Sequence, residues 1–133
     1  MTTAPTDLTA LVRLPAPQRY AWFVRRVVQT GVVWGLFRQG WALADRDDGT
    51  LLFALWPERA SAALCAEFEW EGYVPQAFSL TELLDELLPQ LQHDGIGLTI
   101  FRTPGSKGAL PTPNLLRVDL LDEMGQQQQD DDA

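Results

Sequence analysis

Between Val32 and Pro57 three short apolar segments are separated by two turn signals, Gln39-Gly40 and Asp48-Gly49. Segments of that length, rich in tryptophan, phenylalanine, leucine and valine, read as strands, and Asp-Gly is a strong hairpin signal. The stretch therefore predicts a three-stranded antiparallel meander on which helices pack. It holds three of the chain's five tryptophans.

A two-residue turn at Asp48-Gly49 fixes an expected register. It sets Asp47 opposite Thr50, Asp45 opposite Leu52, Leu43 opposite Ala54 and Trp41 opposite Trp56. On the other face it sets Arg46 beside Leu51, Ala44 beside Phe53 and Ala42 beside Leu55. The same count from Gln39-Gly40 places Leu36 beside Leu43, Phe37 beside Ala42 and Gly35 beside Ala44. Large side chains then meet small ones, leaving one face open to a close-packed helix.

The rest of the chain alternates helix and strand signals. Tyr20, Phe23, Val24, Val27 and Val28 recur at helical spacing and predict a helix over about 16–29, stopped by Thr30-Gly31. Pro57 opens a second helix to about Glu69, with Ala60, Leu64, Cys65 and Phe68 inward. Residues 69–75 read as a loop or short edge strand. Ser79, Leu80, Thr81 and Glu82 form a capping box, followed by a leucine stripe from Leu80 to Leu91 that Pro89 interrupts. Ile96 to Phe101 reads as a buried strand. Thr112-Pro113 starts a last helix that runs towards Gly125.

Composition narrows the function classes. With 133 residues, 46% hydrophobic and 21% charged, the chain is long enough for one real core. Its formal net charge is -8, and the three terminal aspartates account for only part of it. Such a surface repels phosphate backbones, so nucleic acid is not an expected partner, whereas a basic protein surface is tolerated. No apolar run approaches the roughly 18 residues of a membrane span, and no signal peptide is seen, so the expected compartment is the cytoplasm.

Candidate chemistry is sparse. The single cysteine, Cys65, sits among alanines and leucine and reads as a small buried hydrophobe. His93, the only histidine, stands at a helix end beside Asp94-Gly95, where capping explains it better than general-base work. An EF-hand loop begun at Asp45 would need glycine at Thr50 and an oxygen ligand at Trp56, so it fails. Gly105 to Gly108 has the composition of a phosphate cradle without its spacing. No catalytic residue, metal site or cofactor is expected. The aromatic surplus is more informative: an exposed cluster drawn from Trp34, Trp41, Trp56, Trp70 and Tyr73 would suit partner binding.

The elements Tyr20 to Val28, Val33-Trp34-Gly35-Leu36, Gly40-Trp41-Ala42-Leu43, Leu55-Trp56-Pro57, Ala63 to Ala66 and Phe101-Arg102-Thr103-Pro104 together resemble the small bacterial family known as domain of unknown function 2750. The resemblance covers about residues 18–120. It implies a bacterial, cytosolic protein and carries over no activity, cofactor or catalytic residue. A looser similarity, in order of elements alone, is to secretion-enhancer-type domains and toxin-immunity proteins.

The expected fold is α+β: a small, mainly antiparallel sheet, from the meander at about 32–56 and a strand at about 96–101, with three to four packed helices. Residues 1–15 are expected as a mobile lead-in, 16–125 as a single domain and 126–133 as a disordered acidic tail. The function expected first is non-enzymatic protein binding, regulatory or immunity-like. The alternative is a small enzyme or small-molecule-binding domain using carboxylates and aromatic pocket walls.

Overall fold

A computed structural model describes residues 8–132, so expectations for residues 1–7 and Ala133 lie outside the described residues. After a short helix α1 (Leu8–Val12), helix α2 spans Ala16–Thr30. It buries Phe23, Val24 and Val27 as the helical spacing requires, and ends where Gly31 turns left-handed and donates its N–H to the Val27 carbonyl.

The strands are β1 (Val32–Phe37), β2 (Leu43–Asp45), β3 (Leu51–Leu55), β4 (Val74–Ser79) and β5 (Gly97–Ile100). The α+β class holds, with two small, mostly antiparallel sheets. β1 pairs with β4, and the other sheet runs β2-β3-β5, with β5 parallel to β3. The simple meander is therefore corrected: β1 uses one edge for β4, a strand that begins at Val74, at the end of the expected loop or short edge strand over 69–75, and runs on to Ser79. Single bridges tie the sheets together, Phe37 with Trp41 and Trp34 with Trp56. β3 is flanked on both edges, and its residues from Leu52 to Leu55 are all buried.

The expected register is also corrected, by one residue. Leu43 pairs with Phe53, Ala44 with Leu52 and Asp45 with Leu51. The loop holds three residues rather than two: Arg46 donates to the Thr50 carbonyl at 2.8 Å, and Gly49 at φ 88° donates back to Arg46. This is a type I turn closed by a left-handed residue. The Asp48 carboxylate accepts from the Thr50 N–H at 2.9 Å and favours that longer loop. Trp41 consequently does not face Trp56, and Gly35 faces Gln76 of β4 rather than Ala44.

Helix α3 (Arg59–Ala66) is shorter than the span from Pro57 to Glu69 and turns Ser61, Ala62 and Cys65 inward. Ala60 and Phe68 are exposed, the latter because the helix ends two residues before it. The capping box forms at Ser79, where helix α4 (Leu80–Glu82) begins. It leads through a π-helical turn at Leu83–Leu87 into α5 (Leu88–Asp94). Pro89 offers no N–H to the preceding turn, and the wider turn removes the demand for one. Leu80, Leu83, Leu84, Leu88 and Leu91 remain inward throughout.

Helix α6 (Pro113–Asp132) continues through Gly125 and the glutamines instead of stopping at Gly125. It packs Leu116 and Leu120 into the core, and Tyr20 of α2 donates to Asp119 at 2.5 Å. Among the described residues no helix is long and apolar enough to cross a membrane.

Candidate functional site

The turn at Gln39-Gly40 forms, although the hairpin beyond it does not. Gln39 adopts φ 61°, Arg38 donates to the Gly40 carbonyl at 2.9 Å, and Ala42 donates to Leu36 at 2.8 Å. These bonds return the chain over β1 and lay the indole of Trp41 across Gly35, which has no side chain to obstruct it. Three rings close around that indole. Phe37 stands at 5.2 Å and 81°, Phe78 at 5.4 Å and 64°, and Phe53 at 5.7 Å and 44° between centroids and planes. The first two are edge-to-face contacts, in which the positive edge of one ring meets the negative face of another.

Beside this cluster lies an open groove of about 330 Å³, lined by Trp41, Phe53, Phe78, Leu87, Glu82, Glu86 and Gln90. The floor is aromatic, and both ionisable groups in the lining are carboxylates. Glu82 is held by its capping role: its Oε1 accepts from the Ser79 N–H at 3.4 Å and hydroxyl at 3.2 Å. Glu86 and Gln90 follow at intervals of four and are exposed. Apolar residues extend the surface outward. Phe37 is exposed beside its β4 partner Val74, and the strand pleat puts Leu43 and Leu51 on the same side as Phe53.

Among the residues expected at a binding surface, only Trp41 lines this groove. Trp34 is partly buried, and its backbone exchanges hydrogen bonds with Trp56 at 3.0 and 2.8 Å. Trp56 is 0% exposed and donates its indole N–H to the Arg102 carbonyl at 2.9 Å. Trp70 is buried edge-on against Trp56 at 5.7 Å, with the Arg102 guanidinium 5.9 Å above its ring. Tyr73 is partly buried against the core. Burial thus corrects the inclusion of Trp56 and Trp70 in a surface cluster. Phe37, Phe53, Phe78, Glu82 and Glu86 were missed. The four-residue spacing of Glu82, Glu86 and Gln90 was legible as one polar helix face, but nothing in the sequence joined it to β1 and β3.

Two other features have structural explanations. The Cys65 thiol donates to the Arg102 carbonyl at 3.1 Å, and burial, reinforced by Glu69, pushes its pKa up to about 12. It is protonated and enclosed, the reverse of an activated nucleophile. Arg19, 2% exposed, donates from Nε to Phe101 at 3.0 Å, from Nη1 to Leu14 at 2.5 Å, and from Nη2 to Ser106 and Lys107 at 3.0 and 3.1 Å. It fastens the loop after β5, including Phe101 at φ 57°. A larger groove of about 650 Å³ runs past His93, Asn114 and Arg117. There Arg117 is already engaged by the Leu84 carbonyl at 2.7 Å, and the exposed His93 side chain makes no hydrogen bond among the described residues.

No curated protein and no solved structure matches the chain. The family described as Protein of unknown function (DUF2750) matches residues 20–120, an interval that holds β1 to β5 and the whole aromatic groove. The chain belongs to that family.

Proposed function

We propose that this protein is a non-enzymatic binding domain, regulatory or immunity-like, that docks a partner protein presenting a basic surface. The observation that carries the reading is the groove itself: an aromatic floor of Trp41, Phe53 and Phe78 beneath the carboxylates Glu82 and Glu86. Aromatic residues supply large contact areas at small entropic cost, which is why they dominate binding hot spots. Acidic residues at the rim steer a basic partner and disfavour acidic competitors. The exposed Phe37, Val74, Leu43 and Leu51 widen the apolar area beyond the groove. The bacterial cytoplasm is the setting proposed for this activity, in keeping with the lone free Cys65.

The test is capture by chemical cross-linking in the native host with wild-type protein and Trp41→Ala, followed by calorimetry on the purified partner. A partner engaged through this groove binds Trp41→Ala at least about tenfold more weakly, as for a central aromatic anchor. Equal binding by both proteins, with the variant's fold intact by circular dichroism, overturns the proposal.

A further inference from the structure

We infer that the anchor this groove accepts is an arginine side chain of the partner, an inference that rests on the docking reading above. The groove combines two chemistries that a single apolar anchor cannot satisfy together. It is lined by the aromatic side chains of Trp41, Phe53 and Phe78 and by the carboxylates of Glu82 and Glu86. A leucine would use the aromatic lining alone and gain nothing from the exposed carboxylates. A cation answers both, because the ring quadrupole attracts positive charge and the carboxylate accepts its N–H groups.

Between the two cationic side chains the shape of the site selects arginine. The guanidinium is planar, so it stacks on an indole while its edge still presents N–H donors outward. An ammonium carries a tighter hydration shell and has no plane to stack. The lining is held in place for such a guest: Trp41 makes edge-to-face contacts with Phe37 and Phe78, and Glu82 is locked by the capping box. The exposed Phe37 and Val74 outside the groove provide contacts for neighbouring residues, so the arginine is taken from a protein chain rather than as a free amino acid.

The experiment uses four short capped peptides, acetyl-Leu-Ala-X-Ala-Leu-amide, in which X is arginine, lysine, citrulline or leucine. Binding to the full-length protein is followed by the indole N–H resonance of Trp41, assigned by its loss in Trp41→Phe. The arginine peptide is expected to shift this resonance saturably and to bind about tenfold more tightly than its neutral isostere citrulline. Glu86→Gln brings arginine down towards citrulline, and added salt weakens only the charged peptides. Glu82→Gln has the same direction of effect, and glutamine keeps the capping box intact.

Equal affinity for arginine and citrulline overturns the inference, as does lysine binding as tightly as arginine. If, in either of those cases, the leucine peptide moves Trp41 as well as arginine does, the groove remains a docking site with an apolar anchor. If no peptide moves it, the inference and the docking reading fail together.

Discussion

The indole of Trp41 rests on Gly35: a Cβ added to that glycine would stand 2.9 Å from both Cε3 and Cζ3 of the ring. The whole aromatic cluster depends on this absent methyl, because the contacts of Trp41 with Phe37, Phe53 and Phe78 fix the indole from three sides. Gly35→Ala is expected to destabilise the protein by about 1–3 kcal/mol, the usual cost of overpacking a filled site. Urea unfolding of the single and double variants checks it. With Trp41→Ala already present the same substitution should cost under about 1 kcal/mol, since the methyl then enters vacated space. Additive effects would mean that Gly35 acts through its backbone and not through Trp41.

Arg19 joins three parts of the chain. Its donors reach the carbonyls of Leu14, Phe101 and Lys107 and the hydroxyl of Ser106. Removing it strands the buried Phe101 carbonyl, at about 1–3 kcal/mol for a buried group left unsatisfied, while water can reach the exposed Ser106 and Lys107. Arg19→Met is therefore expected to lose about 1–3 kcal/mol in urea unfolding. It should also raise amide hydrogen exchange from Phe101 to Lys107. Arg19→Lys should recover only part of this, because an ammonium lacks the fork that reaches separate acceptors. Wild-type exchange in that loop for Arg19→Met would refute the fastening role.

The class of the fold was legible because helices and buried strands announce themselves through periodicity, as the stripe from Tyr20 to Val28 and the capping box at Ser79 did. Register was not, because it turned on a local competition. Asp48 and Gly49 suit a two-residue turn, but the bond from the Thr50 N–H to the Asp48 carboxylate favours three, and one added residue exchanges every cross-strand partner. The pairing of β1 with β4 joins segments about forty residues apart, which no local signal encodes. Trp41 was found as a candidate through composition, whereas Phe78 and Glu86 come to it only through that long-range pairing and Phe53 through the shifted hairpin register.

The hairpin makes the same point testable at Gly49. Its φ of 88° lies in the left-handed region, and nothing stands within 4 Å of an added Cβ. Any effect of Gly49→Ala is then conformational and not steric. A loss of about 1 kcal/mol is expected in urea unfolding. Gly49→Asn should lose less, because asparagine tolerates this region better. Equal stability of all three proteins would exclude the left-handed closure of the loop.

Cys65 gives the protein a defined response to alkali. Its pKa rises from the ordinary 9.0 to about 12, first because burial penalises the thiolate and second because Glu69 repels it. Between those two pH values the unfolded chain has released the thiol proton while the folded chain retains it. Rising pH therefore favours unfolding, and the stability present below pH 9 is lost progressively up to about pH 12. One proton sets the slope at roughly 1 kcal/mol for each pH unit in that window. Tyr20, whose pKa is also raised, by burial and then by its bond to Asp119, acts in the same direction. The comparison must therefore be made with Cys65→Ser, which keeps Tyr20 and places a non-titrating donor beside the Arg102 carbonyl. Unfolding free energies of the two proteins measured from pH 7 to pH 11 should converge as the wild type loses its extra term. Curves that remain parallel above pH 9 would show that the thiol ionises equally in both states and is not enclosed.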